Sequence, residues 1–247
     1  MCGRFTSLTP PGALAEMFEC EVTSEVETEE FHPNYNVAPS TRILVIASSR
    51  SHGRRLGRMQ WGLVPHWAKV PIGTGQINAR SETLDQKPTF RDSYRKWRCI
   101  IPMTGYYEWR TIHGDEVIGS GRDDAKKPKQ AVYVTRADGQ PLAVAGLWSI
   151  WTNPDSTLRE REGQRRTCCV VTRNANSLLA SVHDRMPVVL EKEDWPLWLG
   201  EDTSAAGVDL QALLESDSES IDLRFADVGS LVNSVRNTGP ELIASVR

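Results

Sequence analysis

Residues 97–109 read WRCIIPMTGYYEW. Apolar and aromatic side chains fill the run, which has the pattern of a strand and holds one carboxylate, Glu108, in its interior. Six more runs share this pattern: RILVIAS (42–48), RMQWGLVP (58–65), QAVYVT (130–135), LAVAGLWSIW (142–151), TCCVVT (167–172) and MPVVL (186–190). Helical signals are fewer. LTPPGALAEMF (8–18) reads as a short helix with Thr9 as N-cap and proline near its start. NANSLLASV (174–182) reads as a helix before a loop, and EDWPLWLG (193–200) and VDLQALLES (208–216) as helical or turn-like. Dispersed short strands with few helices predict an α+β class, with a curved or barrel-like mixed sheet and peripheral helices.

No repeat or linker divides the 247 residues, so a single domain over 1–247 is expected. The polar, charge-rich stretches 110–130 and 153–166 read as insertions, expected to be mobile surface loops. A hydrophobic fraction of 39% and a charged fraction of 25% fit a globular protein. No membrane span or signal peptide is legible, so the expected location is cytoplasmic, nucleoid-associated if DNA is the partner.

The net charge of −3 conceals an asymmetry. Residues 42–110 carry a local excess of +9, whereas residues 1–41 carry one basic and seven acidic side chains. A basic middle suits an anion-binding face better than a protein that coats DNA throughout. Of the five cysteines, Cys99, Cys168 and Cys169 lie in apolar runs, where a free thiol acts as a small hydrophobe. No C-x-x-C pair is present, and neither a metal nor a cofactor is expected.

Cys2, in MCGRF (1–5), lies in no such run. Removal of Met1 would leave an α-amine and a thiol on adjacent carbons. Such a 1,2-aminothiol condenses with an aldehyde: the amine forms a Schiff base, and the thiol closes a thiazolidine in a fast intramolecular step. Three polar residues within apolar surroundings could handle the protons and positioning, namely Asn78 in INARSET (77–83), Glu108 in GYYEW (105–109) and His183 in SVHDRMP (181–187).

MCGRF, YNVAPS, WGLVPHWAK, INARSET, RCIIPMTGYYEW, AGLW and HDRMPVVL, in this order, closely resemble the motifs of the SOS response-associated peptidase (SRAP) family. The resemblance runs from Met1 to about Gly200 and returns in VNSVRNTGPELI (232–243). It implies a sensor of abasic sites in single-stranded DNA that forms a thiazolidine DNA–protein crosslink through the mature N-terminal cysteine. Carried over by motif, Cys2 is the nucleophile and Asn78 positions it and the sugar. Glu108 moves protons during ring opening and Schiff-base formation, and His183 assists as acid or base. Arg4, Arg80 and Arg185 would hold phosphates, Trp67 and Trp109 would stack on or wedge apart bases, and Asn36 and Pro39 would shape the pocket. The partner would be single-stranded DNA, bound by a monomer.

Two other readings stay open. Cys2 with His183 and Glu108 or Asn78 could form a cysteine peptidase or autopeptidase. Alternatively, the chain could be a non-catalytic single-stranded DNA-binding module using the basic 42–110 face.

Overall fold

The computed structural model describes residues 2–69, 75–112, 128–153, 163–201, 209–216 and 221–246. Most of the two polar insertions, 113–127 and 154–162, lies outside the described residues. The first half contains β1 (Arg4–Ser7), α1 (Pro11–Phe18), β2 (Glu21–Val22), α2 (Ser24–Glu27), β3 (Asn34–Val37), β4 (Arg42–Ser49), β5 (Gly53–Trp61), β6 (Asn78–Arg80) and α3 (Pro88–Lys96). The second contains β7 (Arg98–Met103), β8 (Gly105–Thr111), β9 (Lys129–Arg136), β10 (Leu142–Thr152), β11 (Gln164–Asn174), β12 (Arg185–Pro187), α4 (Trp195–Leu199), α5 (Leu210–Glu215) and β13 (Leu223–Asp227).

The 97–109 run is not one strand. It breaks at Thr104, whose amide donates to Thr6 O, and its halves enter different sheets. β7 joins a ring of five strands, β7–β4–β5–β11–β10, closed by parallel pairing of β11 with β5 at Thr167↔Gln60 and Cys168↔Trp61. β8 enters an antiparallel sheet of order β13–β9–β8–β1–β3. Gly105 stands at the junction because a Cβ there would meet the Tyr133 hydroxyl at 2.6 Å.

The ring explains why the strand runs are apolar almost throughout: both faces are buried. Val45, Met59, Ile101, Val144 and Val170 point inward, where Phe5, Tyr106, Val132 and Val134 of the smaller sheet join them. Their neighbours Ile46, Leu56, Ile100, Ala145 and Val171 point outward. There Leu14 and Phe18 of α1, Phe90 and Tyr94 of α3, Trp195 and Trp198 of α4 and Leu214 of α5 cover them. The three cysteines of the runs are fully buried and free, Cys99 and Cys168 inside the ring and Cys169 outside.

Three helical expectations change. Pro10 takes the N-cap position of α1 in place of Thr9, with no side-chain cap. Residues 177–182 form turns, because Ala175 N donates to Asp184 O and folds the segment back so that β12 can pair with β11. The unforeseen α3 starts on Pro88 and buries Phe90 and Tyr94, one turn apart. Among the described residues, no helix is long and apolar enough to cross a membrane.

Gly146 faces the ring interior, where a Cβ would meet Cys99 Sγ at 2.9 Å and Ile101 Cδ1 at 3.0 Å. Gly146→Ala should therefore destabilise the protein by about 1–3 kcal/mol through overpacking. Chemical denaturation should show part of that loss recovered in a Cys99→Ala background, where the closest clash is absent.

Candidate functional site

Antiparallel pairing sets Phe5 of β1 opposite Tyr106 of β8. Residues two apart on a strand share a face, so Tyr106 and Glu108 point together towards the ring interior, while Tyr107 and Trp109 point away. Strict alternation would send Cys2 to the outer face with Arg4. Instead the chain leaves the strand, and Cys2 is fully buried in the cluster of Phe5, Trp61 and Tyr106. Phe5 packs edge-on against Trp61 at 5.2 Å, and Trp61 Nε1 donates to Ile77 O at 2.9 Å. That bond fixes the approach to Asn78, whose Nδ2 donates to Cys2 O at 2.9 Å. Among the described residues, Asn78 Oδ1 is buried with no hydrogen-bond partner, leaving an acceptor beside Cys2.

Burial pushes the Cys2 thiol well above its usual range, and the Glu108 carboxylate pushes it further. The Tyr106 phenol is raised in the same way, first by burial and then by Cys2 and Glu108. Cys2, Tyr106 and Glu108 therefore form one electrostatic group, in which Glu108 is 3% exposed. The thiol is neutral at physiological pH and needs a base before it can attack.

His183 approaches on the 175–184 turn, whose Leu179 and Val182 enter the cluster that holds Cys2. Its Nδ1 accepts from Arg185 N at 3.0 Å and lies 2.6 Å from Asp184 Oδ1. These contacts are alternatives: the neutral ring with its proton on Nε2 accepts from Arg185, whereas a protonated Nδ1 donates to Asp184. Arg185 is buried and already engaged. Its guanidinium donates to both Glu82 oxygens at 2.5 and 2.9 Å, to Asn174 Oδ1 at 2.8 Å and to Thr172 O at 2.6 Å. As it stands, this arginine braces β11 and β12 and presents no open fork to a phosphate.

Arg4, Asn36 and Trp109 lie on the far side of β1 and β8 from the thiol, against the C-terminal segment. Arg4 donates to Asn36 Oδ1 and Val232 O, and Asn36 Nδ2 to the carbonyls of Val232, Ser234 and Asn237. Trp109 Nε1 donates to Asn233 Oδ1 at 2.7 Å. These contacts tie β1, β3 and β8 to the C-terminal segment, on the opposite face of β1 and β8 from Phe5 and Tyr106. Pro39 is half-buried in the turn between β3 and β4. Trp67 is 54% exposed, and Arg80 is exposed on the same face of β6 as Asn78.

The +9 excess is partly cancelled by distant carboxylates. Arg42, Arg54, Arg58 and Arg110 pair with Glu25, Glu201, Glu29 and Asp227, all outside residues 42–110. Sequence reading missed Tyr106 and Trp61, which look like core aromatics in apolar runs. It also missed Glu82, whose signal was its place two residues after Arg80 in a motif already singled out. Among the described residues, no three His, Cys, Asp or Glu side chains are grouped to hold a metal ion.

Residues 1–235 match the family model described as SOS response associated peptidase (SRAP). The chain is 37% identical over 246 residues to the abasic site processing protein YoqW of Bacillus subtilis, covering 99% of this chain and 100% of that one. It is 31% identical over 252 residues to the abasic site processing protein YedK of Escherichia coli, covering 100% of both. In fold it resembles a crystal structure of a Bacteroides thetaiotaomicron protein, with a TM-score of 0.79, 23% identity and 100% coverage of both chains.

The Glu82–Arg185 pair yields a test of the brace. Hydrogen bonding from Arg185 holds the Glu82 carboxyl below its usual range, against an opposing effect of burial. A depressed carboxyl contributes stability in full above its unfolded value of about 4.3, and that contribution is lost as pH falls through the lower folded value. Glu82→Gln should cost about 2 kcal/mol at pH 7, less than breaking a fully buried pair because Glu82 remains partly in water. Denaturation curves between pH 7 and 3 should show the wild type losing more stability below about 4.3 than the variant does.

Proposed function

The chain belongs to the SOS response associated peptidase (SRAP) family, and on that premise we propose that it processes abasic sites in single-stranded DNA by covalent capture through Cys2. The observation that carries this reading is the hold on Cys2: its carbonyl is fixed by Asn78 while its thiol lies beside the Glu108 carboxylate. Removal of Met1 frees the Cys2 amine. The amine adds to C1′ of the ring-opened sugar, and loss of one water gives the Schiff base. The thiol then adds to the same carbon. Its proton passes to Glu108 and on to the ring nitrogen, closing the thiazolidine with no other leaving group. Asn78 holds the cysteine backbone so that both nucleophiles meet one carbon, which makes the second addition a matter of proximity.

The direction of the thiol shift favours this order over a peptidase. A thiolate–imidazolium pair needs a depressed thiol, whereas the Cys2 thiol is raised. The His183 Nδ1 is also taken up by its own neighbours. In the proposed chemistry a neutral thiol is no handicap, because the amine attacks first and Glu108 is in place for the second step. Exposed Trp67 and Arg80 are the side chains best placed for bases and phosphates.

Intact-mass analysis of the protein with abasic single-stranded DNA tests the proposal. Wild type should give a heat-stable adduct smaller by one water than the sum of its parts, whereas Cys2→Ala should give at most a reversible Schiff base. A durable Cys2→Ala adduct formed without reductant would defeat the thiazolidine. Glu108→Gln should slow crosslinking at saturating DNA by about 10²-fold or more, the usual contribution of a positioned acid–base group, and leave the adduct mass the same. Single-turnover rates from pH 5 to 8 should show a pH dependence that this variant alters.

A further inference from the structure

Among the described residues, Tyr106 carries the one buried phenol of β8 and β9 whose hydroxyl the fold leaves unbonded. Tyr107 O–H donates to Tyr35 O at 2.8 Å, and the Tyr133 hydroxyl shares a hydrogen bond of 2.7 Å with Thr6 Oγ1. Tyr106 is 1% exposed, and its hydroxyl meets no such partner. Its ring packs in the cluster of Phe5 and Trp61, a place that a phenylalanine ring would fill as well, so packing does not call for the oxygen. A buried hydroxyl without a partner costs stability, and its presence needs another reason.

The surroundings supply one. Tyr106 and Glu108 share the inward face of β8, about 7 Å apart along the strand, and Cys2 lies in the same cluster as Tyr106. Asn78, which holds the Cys2 carbonyl, contributes the buried Oδ1 as a second unbonded group. A donor and an acceptor that the protein itself does not use thus converge near Cys2. Burial, then Cys2 and Glu108, push the phenol well above its usual range, so it stays a neutral donor at physiological pH.

We infer that the Tyr106 hydroxyl donates a hydrogen bond to O4′ of the abasic sugar, the ring oxygen that becomes the C4′ hydroxyl when the sugar opens. The inference rests on the covalent reading above and adds a residue to it. Opening breaks the C1′–O4′ bond and leaves its electron pair on O4′. The C1′ hydroxyl gives its proton to Glu108 and becomes the aldehyde carbonyl, and Glu108 passes that proton to O4′. Tyr106 keeps its own proton. Its O–H steadies the negative charge that gathers on O4′ as the bond breaks, and then holds the new hydroxyl.

Tyr106→Phe removes the oxygen and keeps the ring. The variant should unfold at a temperature no lower than wild type, since an unbonded buried hydroxyl is lost, yet crosslink abasic single-stranded DNA slower by about tenfold or more at saturating DNA. The loss should be even from pH 5 to 8, because the phenol does not titrate there. A second measurement needs no crosslink: anisotropy with two fluorescent single-stranded oligodeoxynucleotides that hold no aldehyde. One carries a borohydride-reduced abasic site, which keeps the C4′ hydroxyl, and the other a propanediol spacer, which lacks it. Tyr106→Phe should weaken binding to the first about fivefold and leave the second unchanged. Equal affinity of wild type and variant for the reduced site would overturn the inference, as would an equal loss on both oligonucleotides or a variant that crosslinks at the wild-type rate. In each case capture by Cys2 would stand. A wild type that fails to crosslink would refute capture, and a loss of affinity confined to the reduced site would then still uphold the Tyr106 contact.

Discussion

The parallel contact between β5 and β11 is the constraint on which the other features depend. Two Cα pairings close the ring, reinforced by Gly62 N donating to Cys168 O at 2.8 Å and Val64 N to Thr167 Oγ1 at 2.9 Å. Closure gives most of β4, β7 and β10 and the middle of β11 an inner and an outer buried face, so these stretches are largely apolar, whereas β5 keeps Arg54, Arg55, Arg58 and Gln60 at half-buried positions. It also carries Trp61 to the edge of Phe5 and brings β6 alongside β11, which delivers Asn78 to the Cys2 carbonyl. The site is therefore a by-product of ring closure, assembled where the smaller sheet covers the interior.

Burial of the thiol has a chemical consequence. In water a cysteine can titrate near neutral pH, but here the apolar surroundings and the Glu108 charge both oppose ionisation. The same carboxylate that disfavours the thiolate is the group that the proposed chemistry uses to take the proton when the thiol reacts. In the proposed chemistry, nucleophilicity would be confined to the moment when an electrophile is already attached to the neighbouring nitrogen, and until then the neutral, buried thiol is protected from indiscriminate oxidation. The rear of the pocket is braced independently. Asn36 shares two amide hydrogens among three C-terminal carbonyls and takes one bond from Arg4, so the strand that leads to Cys2 is tied to residues more than two hundred positions away.

Arginine fates illustrate why charge in sequence is a poor map of charge in space. Arg54 and Glu201 are 147 residues apart and share a bidentate contact, and Arg185 and Glu82 are separated by 103. The Arg54 pair removes a cation from the surface that the linear count assigns to it, and the Arg185 pair takes an acid, Glu82, out of the same count. What remains exposed on α3 and around Trp67 is a smaller and more directional surface than the +9 excess implies.

Strand content, the helices α1, α4 and α5, and the residue types from which aldehyde chemistry is proposed were legible in the sequence itself, because periodicity, turn chemistry and side-chain reactivity are local properties. So was family membership, through seven motifs in a fixed order. The division of WRCIIPMTGYYEW between two sheets was decided only in three dimensions, since Thr104 breaks the run by bonding to Thr6 rather than through any turn signal of its own. The same holds for the sides of β8 taken by Glu108 and Trp109, for the engagement of Arg185 by Glu82, and for the inward turn of Cys2 at a point where strand alternation would have exposed it. Each of these depends on which distant segment arrives to cover a given face, and pairing between segments a hundred residues apart leaves no periodic trace in either one.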